Sequence, residues 1–214
     1  MKDFSDYRKS YEKSELLENS IPEDPINLFN RWFHEVEDNG GIEEVNAMTV
    51  STIGLDGYPK SRVVLLKKFT FEGFIFYTNY ESEKGKALAN NPNVCLSFFW
   101  PTLERQVIIK GKAEKVAENL SDGYFESRPT GSKLGAVVSP QSQIIPSRAF
   151  LEEELKNLEN QYLQKEIKRP THWGGYIVKP ISVEFWQGRP NRLHDRIRYS
   201  LQADFEWKIE RLAP

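Results

Sequence analysis

Between Ala47 and Thr78 the chain carries apolar, β-branched runs separated only by short turn sequences. Ala47–Ile53 reads as a strand, and Gly54-Leu55-Asp56-Gly57 supplies the turn chemistry after it. Ser61–Phe69 and Phe74–Thr78 read as a second and third strand, with Glu72-Gly73 between them. Strands joined this closely can only run antiparallel, because a parallel pair needs a crossover of a dozen or more residues. Val94–Trp100, Gln106–Val116, Trp173–Trp186 and Trp207–Leu212 add further strands, the second alternating around Val107, Ile109 and Gly111.

Helices are interspersed rather than alternating with the strands. Asp24-Pro25 is an N-cap followed by proline in the first turn. Leu28, Phe29, Trp32, Phe33 and Val36 then recur at helical spacing until Asn39-Gly40-Gly41. Glu81–Asn91 predicts a short helix stopped by Pro92, and two more pieces, about 121–127 and 132–138, are broken at Pro129-Thr130-Gly131. A longer helix is expected from Ser147 to Lys165, with Phe150, Leu151, Leu155, Leu158 and Tyr162 on one stripe. No Gly-x-Gly-x-x-Gly follows a strand, which argues against a Rossmann fold. The expected class is mainly β with helices (α+β), a barrel or sandwich with helical additions. Residues 1–20 are charged and are expected to be a flexible segment preceding a single domain over 21–214.

The chain has 29 Lys+Arg against 31 Asp+Glu, a formal net charge of −2, which disfavours sequence-independent binding to nucleic acid. Its aromatic share of 13% suits a strand-rich core or a flat ligand held between rings. One cysteine, Cys95, excludes an internal disulfide or a cysteine-based zinc site. The polar N-terminus and the lack of any run near the roughly 20 apolar residues of a membrane span point to a soluble, cytoplasmic protein.

Arg189, Arg192, His194, Arg196 and Arg198 lie within ten residues of one another. Such a cluster is compatible with a solvated basic turn. Gly188, Pro190 and Asn191 instead make it an irregular segment directly after an apolar strand, where sites tend to lie, and guanidinium forks suit phosphate and carboxylate oxygens. Arg62 and Lys67 bracket the apolar run Val63-Val64-Leu65-Leu66, which reads either as a buried strand with cationic ends or as a backbone beside a planar ligand. Ser82, Lys84 and Lys86 open the helix after Tyr77-Thr78-Asn79, a pattern that suits a phosphate site at a helix N-terminus and is also common on surface helices. Tyr124, Arg128 and Ser132 recur every fourth residue. Gln106, Gln141, Ser142 and Trp186 are suited to the edges of a heteroaromatic ring, although each taken singly is more often structural. His34 and His172 read as structural. No metal-ligand spacing and no nucleophile–base arrangement is evident. Many anion-binding groups with few catalytic side chains suit an enzyme whose cofactor carries the chemistry.

These residues carry a resemblance. Arg62-Val63-Val64-Leu65-Leu66-Lys67, Phe76-Tyr77-Thr78-Asn79, Leu103-Glu104-Arg105-Gln106-Val107, Ser127-Arg128-Pro129, Glu184-Phe185-Trp186-Gln187-Gly188, Arg192-Leu193-His194-Asp195-Arg196 and the ending Trp207–Pro214 resemble the pyridoxine 5′-phosphate oxidase family, in collinear order from about Asp24. The resemblance implies an FMN-binding split β-barrel of antiparallel Greek-key type. It implies a homodimer with each flavin site at the subunit interface, and oxidation of pyridoxamine or pyridoxine 5′-phosphate by O₂. FMN contacts would fall on Arg62, Val63, Val64, Leu65, Leu66, Lys67, Tyr77, Thr78, Lys84, Gln106, Gln141, Ser142, Trp186 and Arg196. The substrate phosphate would meet Lys67, Tyr124, Arg128 and Ser132. Arg192 and His194 would be the catalytic pair over the pyridine ring, and Arg8 and Tyr11 a pair that closes over it.

One position departs from the family pattern. Where relatives often have Ser-Arg-Lys, this chain has Ser82-Glu83-Lys84. A carboxylate pointing inward would repel a phosphate dianion, so Glu83 is expected to turn outward, leaving Lys84, Arg62 and the helix N-terminus to hold the phosphate. The alternative is a non-catalytic split-barrel carrier of FMN or pyridoxal phosphate.

Overall fold

The Asp24 carboxylate accepts the Ile26 amide at 2.7 Å and so starts α1 (Pro25–Asn39), while Gly40, at φ +67°, ends it. Pro25 sits in the first turn, where its missing N–H leaves no hydrogen bond unmade. The structure, a computed structural model, describes residues 1–163 and 165–214. After α1 come β1 (Ala47–Ile53), β2 (Pro59–Leu65), β3 (Lys68–Thr70), β4 (Gly73–Asn79), α2 (Glu83–Asn90), β5 (Asn93–Trp100) and β6 (Arg105–Lys115). Then follow α3 (Glu118–Glu126), α4 (Thr130–Val138), α5 (Arg148–Gln161), β7 (Trp173–Gln187), β8 (Asp195–Leu201) and β9 (Trp207–Leu212).

Along the sheet the strands run β2-β1-β5-β6-β7-β4-β3, with β8 on β7 and β9 on β8. β7 is long enough to serve two ladders. Residues Trp173 to Val178 pair antiparallel with β4 (Tyr77 opposite Gly175), and Ser182 to Gln187 pair antiparallel with β8 (Trp186 opposite Arg196).

Three sequence expectations change. The expected strand Ser61–Phe69 is two strands, because β2 belongs to the ladder with β1 and β3 to that with β4. The break falls at Leu66-Lys67, where the Lys67 amide donates to the Ile75 carbonyl. The basic segment runs on into a strand, β8, in which the inward Ile197 and Tyr199 alternate with Arg196 and Arg198. The long helix runs from its Ser147 cap to Gln161, shorter than expected, and buries none of its residues fully; Gln164, within the expected span, lies outside the described residues.

Two compact units can be distinguished, Met1–Val50 with Cys95–Gly111 and Pro180–Pro214, and Ser51–Val94 with Lys112–Lys179. In the first, α1 buries Leu28, Phe29, Trp32 and Val36. Phe29 meets Phe98 edge-on at 5.1 Å, and Trp32 meets Phe185 at 5.2 Å. Each fully buried ring of this kind contributes roughly 1.5–3 kcal/mol. The Tyr199 hydroxyl finds the Pro22 carbonyl at 2.8 Å, so its burial leaves no polar atom unmet. In the second unit Phe74, Phe76, Tyr176 and Val178 of the β4–β7 ladder are buried, as are Ala87 and Leu88 of α2 and Phe125 of α3. Among the described residues no helix is long and apolar enough to cross a membrane.

Candidate functional site

The second unit contains a cavity of about 1080 Å³. It exceeds the roughly 300–1,000 Å³ of a site for one drug-sized ligand. β2 contributes one wall, with Lys60, Arg62, Val63, Val64 and Leu65, and Lys67 follows it. Val63 is 69% exposed, which places an apolar strand face at the opening. The end of β4 brings Tyr77 and Thr78, the start of α2 brings Glu83 and Lys84, and α3 and α4 bring Tyr124, Arg128 and Ser132.

At the α2 end the turn is tightly specified. The Ser82 hydroxyl donates to the Asn79 carbonyl at 2.7 Å and accepts the Gly85 amide at 3.2 Å. A Cβ at Gly85 would lie 2.1 Å from the Tyr80 carbonyl oxygen, so only glycine fits there. This turn aims Lys84 inward. Its ammonium, buried at 8% exposure, donates to Thr78 Oγ1 (3.1 Å), Ser82 Oγ (3.4 Å) and Gln141 Oε1 (2.9 Å). All three partners are uncharged. Burial, with the nearby Arg62 charge adding to it, pulls the Lys84 ammonium down to about 8, and Glu83 opposes the shift. Arg62 donates through Nη1 to Thr52 Oγ1 at 2.7 Å and to the Lys60 carbonyl at 2.9 Å. Glu83 forms an ion pair with Lys60.

At the α3–α4 end, Tyr77, Tyr124 and Trp173 stack with nearly parallel planes, Tyr77 and Tyr124 at 4.0 Å. The Arg128 guanidinium lies 4.6 Å from the Trp173 ring centroid. Its Nη1 is buried without a hydrogen-bond partner among the described residues. A buried unsatisfied donor costs about 1–3 kcal/mol, and an anion in the cavity would satisfy it. Ser142, at φ +72°, holds a backbone conformation uncommon for a non-glycine residue, and residues so held cluster at ligand sites.

The first unit holds a second constellation. Trp186 and His194 rings lie 4.7 Å apart, and Tyr11 packs against both, at 5.7 and 5.8 Å. The Arg189 amide donates to His194 Nδ1 at 3.1 Å, which leaves the ring proton on Nε2. Burial lowers the His194 pKa, and Arg192 lowers it further against the opposing Asp195 charge. Asn191 and Arg192, at φ +56° and +61°, form a left-handed turn that carries the Arg192 side chain. Arg196 is bound by Glu184 (2.8 Å to Nη2) and by the Ala213 carbonyl (2.9 Å).

Residues 36–162 match the family model described as pyridoxamine 5′-phosphate oxidase, and 173–214 match the pyridoxine 5′-phosphate oxidase C-terminal dimerisation region. The chain belongs to the pyridoxamine 5′-phosphate oxidase family. Relatives named pyridoxine/pyridoxamine 5′-phosphate oxidase include one from Flavobacterium psychrophilum, 78% identical over the whole of both chains. Another, from Flavobacterium johnsoniae, is 75% identical over the whole of both. The crystal structure of PhzG from Burkholderia lata, in complex with tetrahydrophenazine-1-carboxylic acid, superposes with a TM-score of 0.87 at 27% identity, covering 95% of this chain and all of that one. These likenesses bear out the split β-barrel expected from the family resemblance.

Of the residues that the oxidase resemblance singles out, the cavity wall contains Arg62, Val63, Val64, Leu65, Lys67, Tyr77, Thr78, Lys84, Tyr124, Arg128, Ser132, Gln141 and Ser142. Leu66 is buried and outside the wall. Tyr11, Trp186, Arg192, His194 and Arg196 belong to the first unit, as does Gln106, half-buried on β6. Arg8 is exposed, and its Nε donates to the Ser5 carbonyl. Glu83 is 44% exposed yet still forms part of the wall, its carboxylate held by Lys60. The wall also contains residues that the sequence pattern does not single out, among them Lys60, Ser139 and Trp173. The clue to Lys60 was its spacing of two from Arg62, which puts both on one face of a strand.

Proposed function

We propose that the protein is an FMN-dependent oxidase of pyridoxamine and pyridoxine 5′-phosphates. One observation carries the reading: a single cavity offers two separate anion stations, Lys84 with Arg62 and Arg128 with Tyr124 and Ser132. A buried lysine with uncharged partners and a buried guanidinium nitrogen with none among the described residues both favour anionic oxygens, as two phosphorylated ligands would supply. The residues present therefore fit FMN.

Arg62, Lys84 and the α2 N-terminus would hold the FMN phosphate, and Thr78, Gln141 and Ser142 would meet the flavin. Bound FMN would supply the redox chemistry, accepting a hydride from the substrate's exocyclic carbon and passing two electrons to O₂ to give hydrogen peroxide. Lys67, Tyr124, Arg128 and Ser132 would anchor the substrate phosphate, so that orientation does much of the catalytic work. Arg192 would stabilise charge developing on the substrate. The His194 Nε2–H would donate to the substrate's amine or hydroxyl. With the amine, water adds to the oxidised carbon and ammonia leaves.

Trp186, Arg192, His194 and Arg196 all fall in the segment matching a dimerisation region, while the cavity wall is drawn from the other unit. We therefore assign the cavity residues to one subunit of a homodimer and this second set to its partner. Anaerobic addition of pyridoxamine 5′-phosphate should bleach the yellow protein, and air should restore the colour with release of hydrogen peroxide. A yellow protein that neither bleaches nor consumes oxygen with either substrate would be a carrier instead.

A further inference from the structure

We propose that Lys60 is a phosphate-binding residue of the FMN station, delivered from β2 and held in place by Glu83. The inference rests on the FMN reading and deepens it. Lys60 and Arg62 are two apart on β2 and share one face of the strand, and both line the cavity. The Lys60 carbonyl accepts the Arg62 guanidinium, so the two are also tied through the backbone. Glu83 opens α2, where a carboxylate is favoured by the helix dipole, and it reaches across to the Lys60 ammonium.

Charge balance favours a role for Lys60 beyond that ion pair. Three cations (Lys60, Arg62 and Lys84) and one carboxylate (Glu83) line this end of the cavity, an excess of two positive charges. A phosphate monoester near neutral pH carries about −1.5 to −2. Without Lys60 the excess falls to one, and Glu83 faces the phosphate unmasked. The pair is also half-exposed. Its carboxylate can keep one contact with the ammonium while another N–H turns to a phosphate oxygen, since an ammonium has three donors. Lys60 would thus supply the cation that position 83 lacks.

The test is titration of flavin-free protein with FMN and, separately, with riboflavin, read by flavin fluorescence. Riboflavin has the ring but no phosphate. Lys60→Gln should weaken FMN binding about tenfold, the size of a charge-assisted hydrogen bond, and leave riboflavin unchanged. The same loss should appear when Lys60→Gln is made in a Glu83→Gln background. No effect on FMN, or equal losses for FMN and riboflavin, would overturn the assignment. So would an effect that vanishes in the Glu83→Gln background, since Lys60 would then only mask Glu83. Failure of the unaltered protein to bind either flavin would instead bring down the FMN reading, and this assignment with it.

Discussion

The Arg128 guanidinium lies over the indole of Trp173, 4.6 Å from its centroid, with one nitrogen buried and unpartnered among the described residues. The indole holds the cation against the cavity without neutralising it, as a carboxylate would. A cation–π contact is worth about 0.5–2 kcal/mol. Trp173→Leu should therefore raise KM for pyridoxamine 5′-phosphate about 2- to 30-fold with kcat little changed. Trp173→Phe, which keeps a ring face, should recover part of the loss. A fall in kcat at unchanged KM would show that Trp173 does not act through the phosphate.

His194 is expected to act as a neutral donor. The Arg189 amide occupies Nδ1, and burial lowers the pKa from its usual 6.5. A base whose folded pKa is depressed is favoured neutral, so its contribution to stability is present above pH 6.5 and is lost as pH falls. The ring should be the Nε2–H tautomer by nitrogen NMR, with a titration midpoint below 6.5. A midpoint above 6.5, or the Nδ1–H tautomer, would contradict the geometry.

Lys84 should make FMN affinity depend on pH. Its ammonium titrates at about 8 when no anion is present, and a bound phosphate would raise that value. Binding above pH 8 must then take up a proton. FMN affinity should fall as pH rises from about 8 towards 10, by up to tenfold per unit, whereas riboflavin affinity should stay level. A flat FMN profile over this range would remove Lys84 from the phosphate.

The cation pattern of the site was legible in the sequence because charged residues beside apolar strands and at helix ends are conspicuous. Arg62, Lys67, Lys84 and Arg128 all reach the cavity wall. What was illegible depends on partners distant along the chain. Trp173 reads as the first residue of a strand, and nothing local reveals that the turn between α3 and α4 carries Arg128 over its ring. The break between β2 and β3 is hidden because Leu66 is as apolar as its neighbours, and only the change of pairing partner separates them. β8 was masked by its arginines, although Ile197 and Tyr199 had the strand period.

Arg192 should separate turnover from cofactor binding. It is exposed, on a left-handed turn outside the cavity wall, and belongs to the set assigned to the substrate. Arg192→Ala should lower kcat about 100-fold or more, as removal of an electrostatic stabiliser does. The flavin content of the purified protein should be unaltered. Equal losses of turnover and flavin would place Arg192 at the cofactor.

Sharing of the site between subunits can be tested by complementation. Arg128→Ala removes a cavity residue and Arg192→Ala removes one from the dimerisation segment, so each homodimer should have two damaged sites. If one site takes Arg128 from one subunit and Arg192 from its partner, a mixed dimer has one intact site and one doubly damaged site. Co-expression with random pairing in a closed twofold dimer would make about half the dimers mixed, restoring roughly a quarter of unaltered activity. If both residues came from the same subunit, every site would carry one defect and mixing would restore nothing. The quarter-activity result requires each cavity to be completed by the other chain, and it does so without any assumption about how the two units of one chain are arranged.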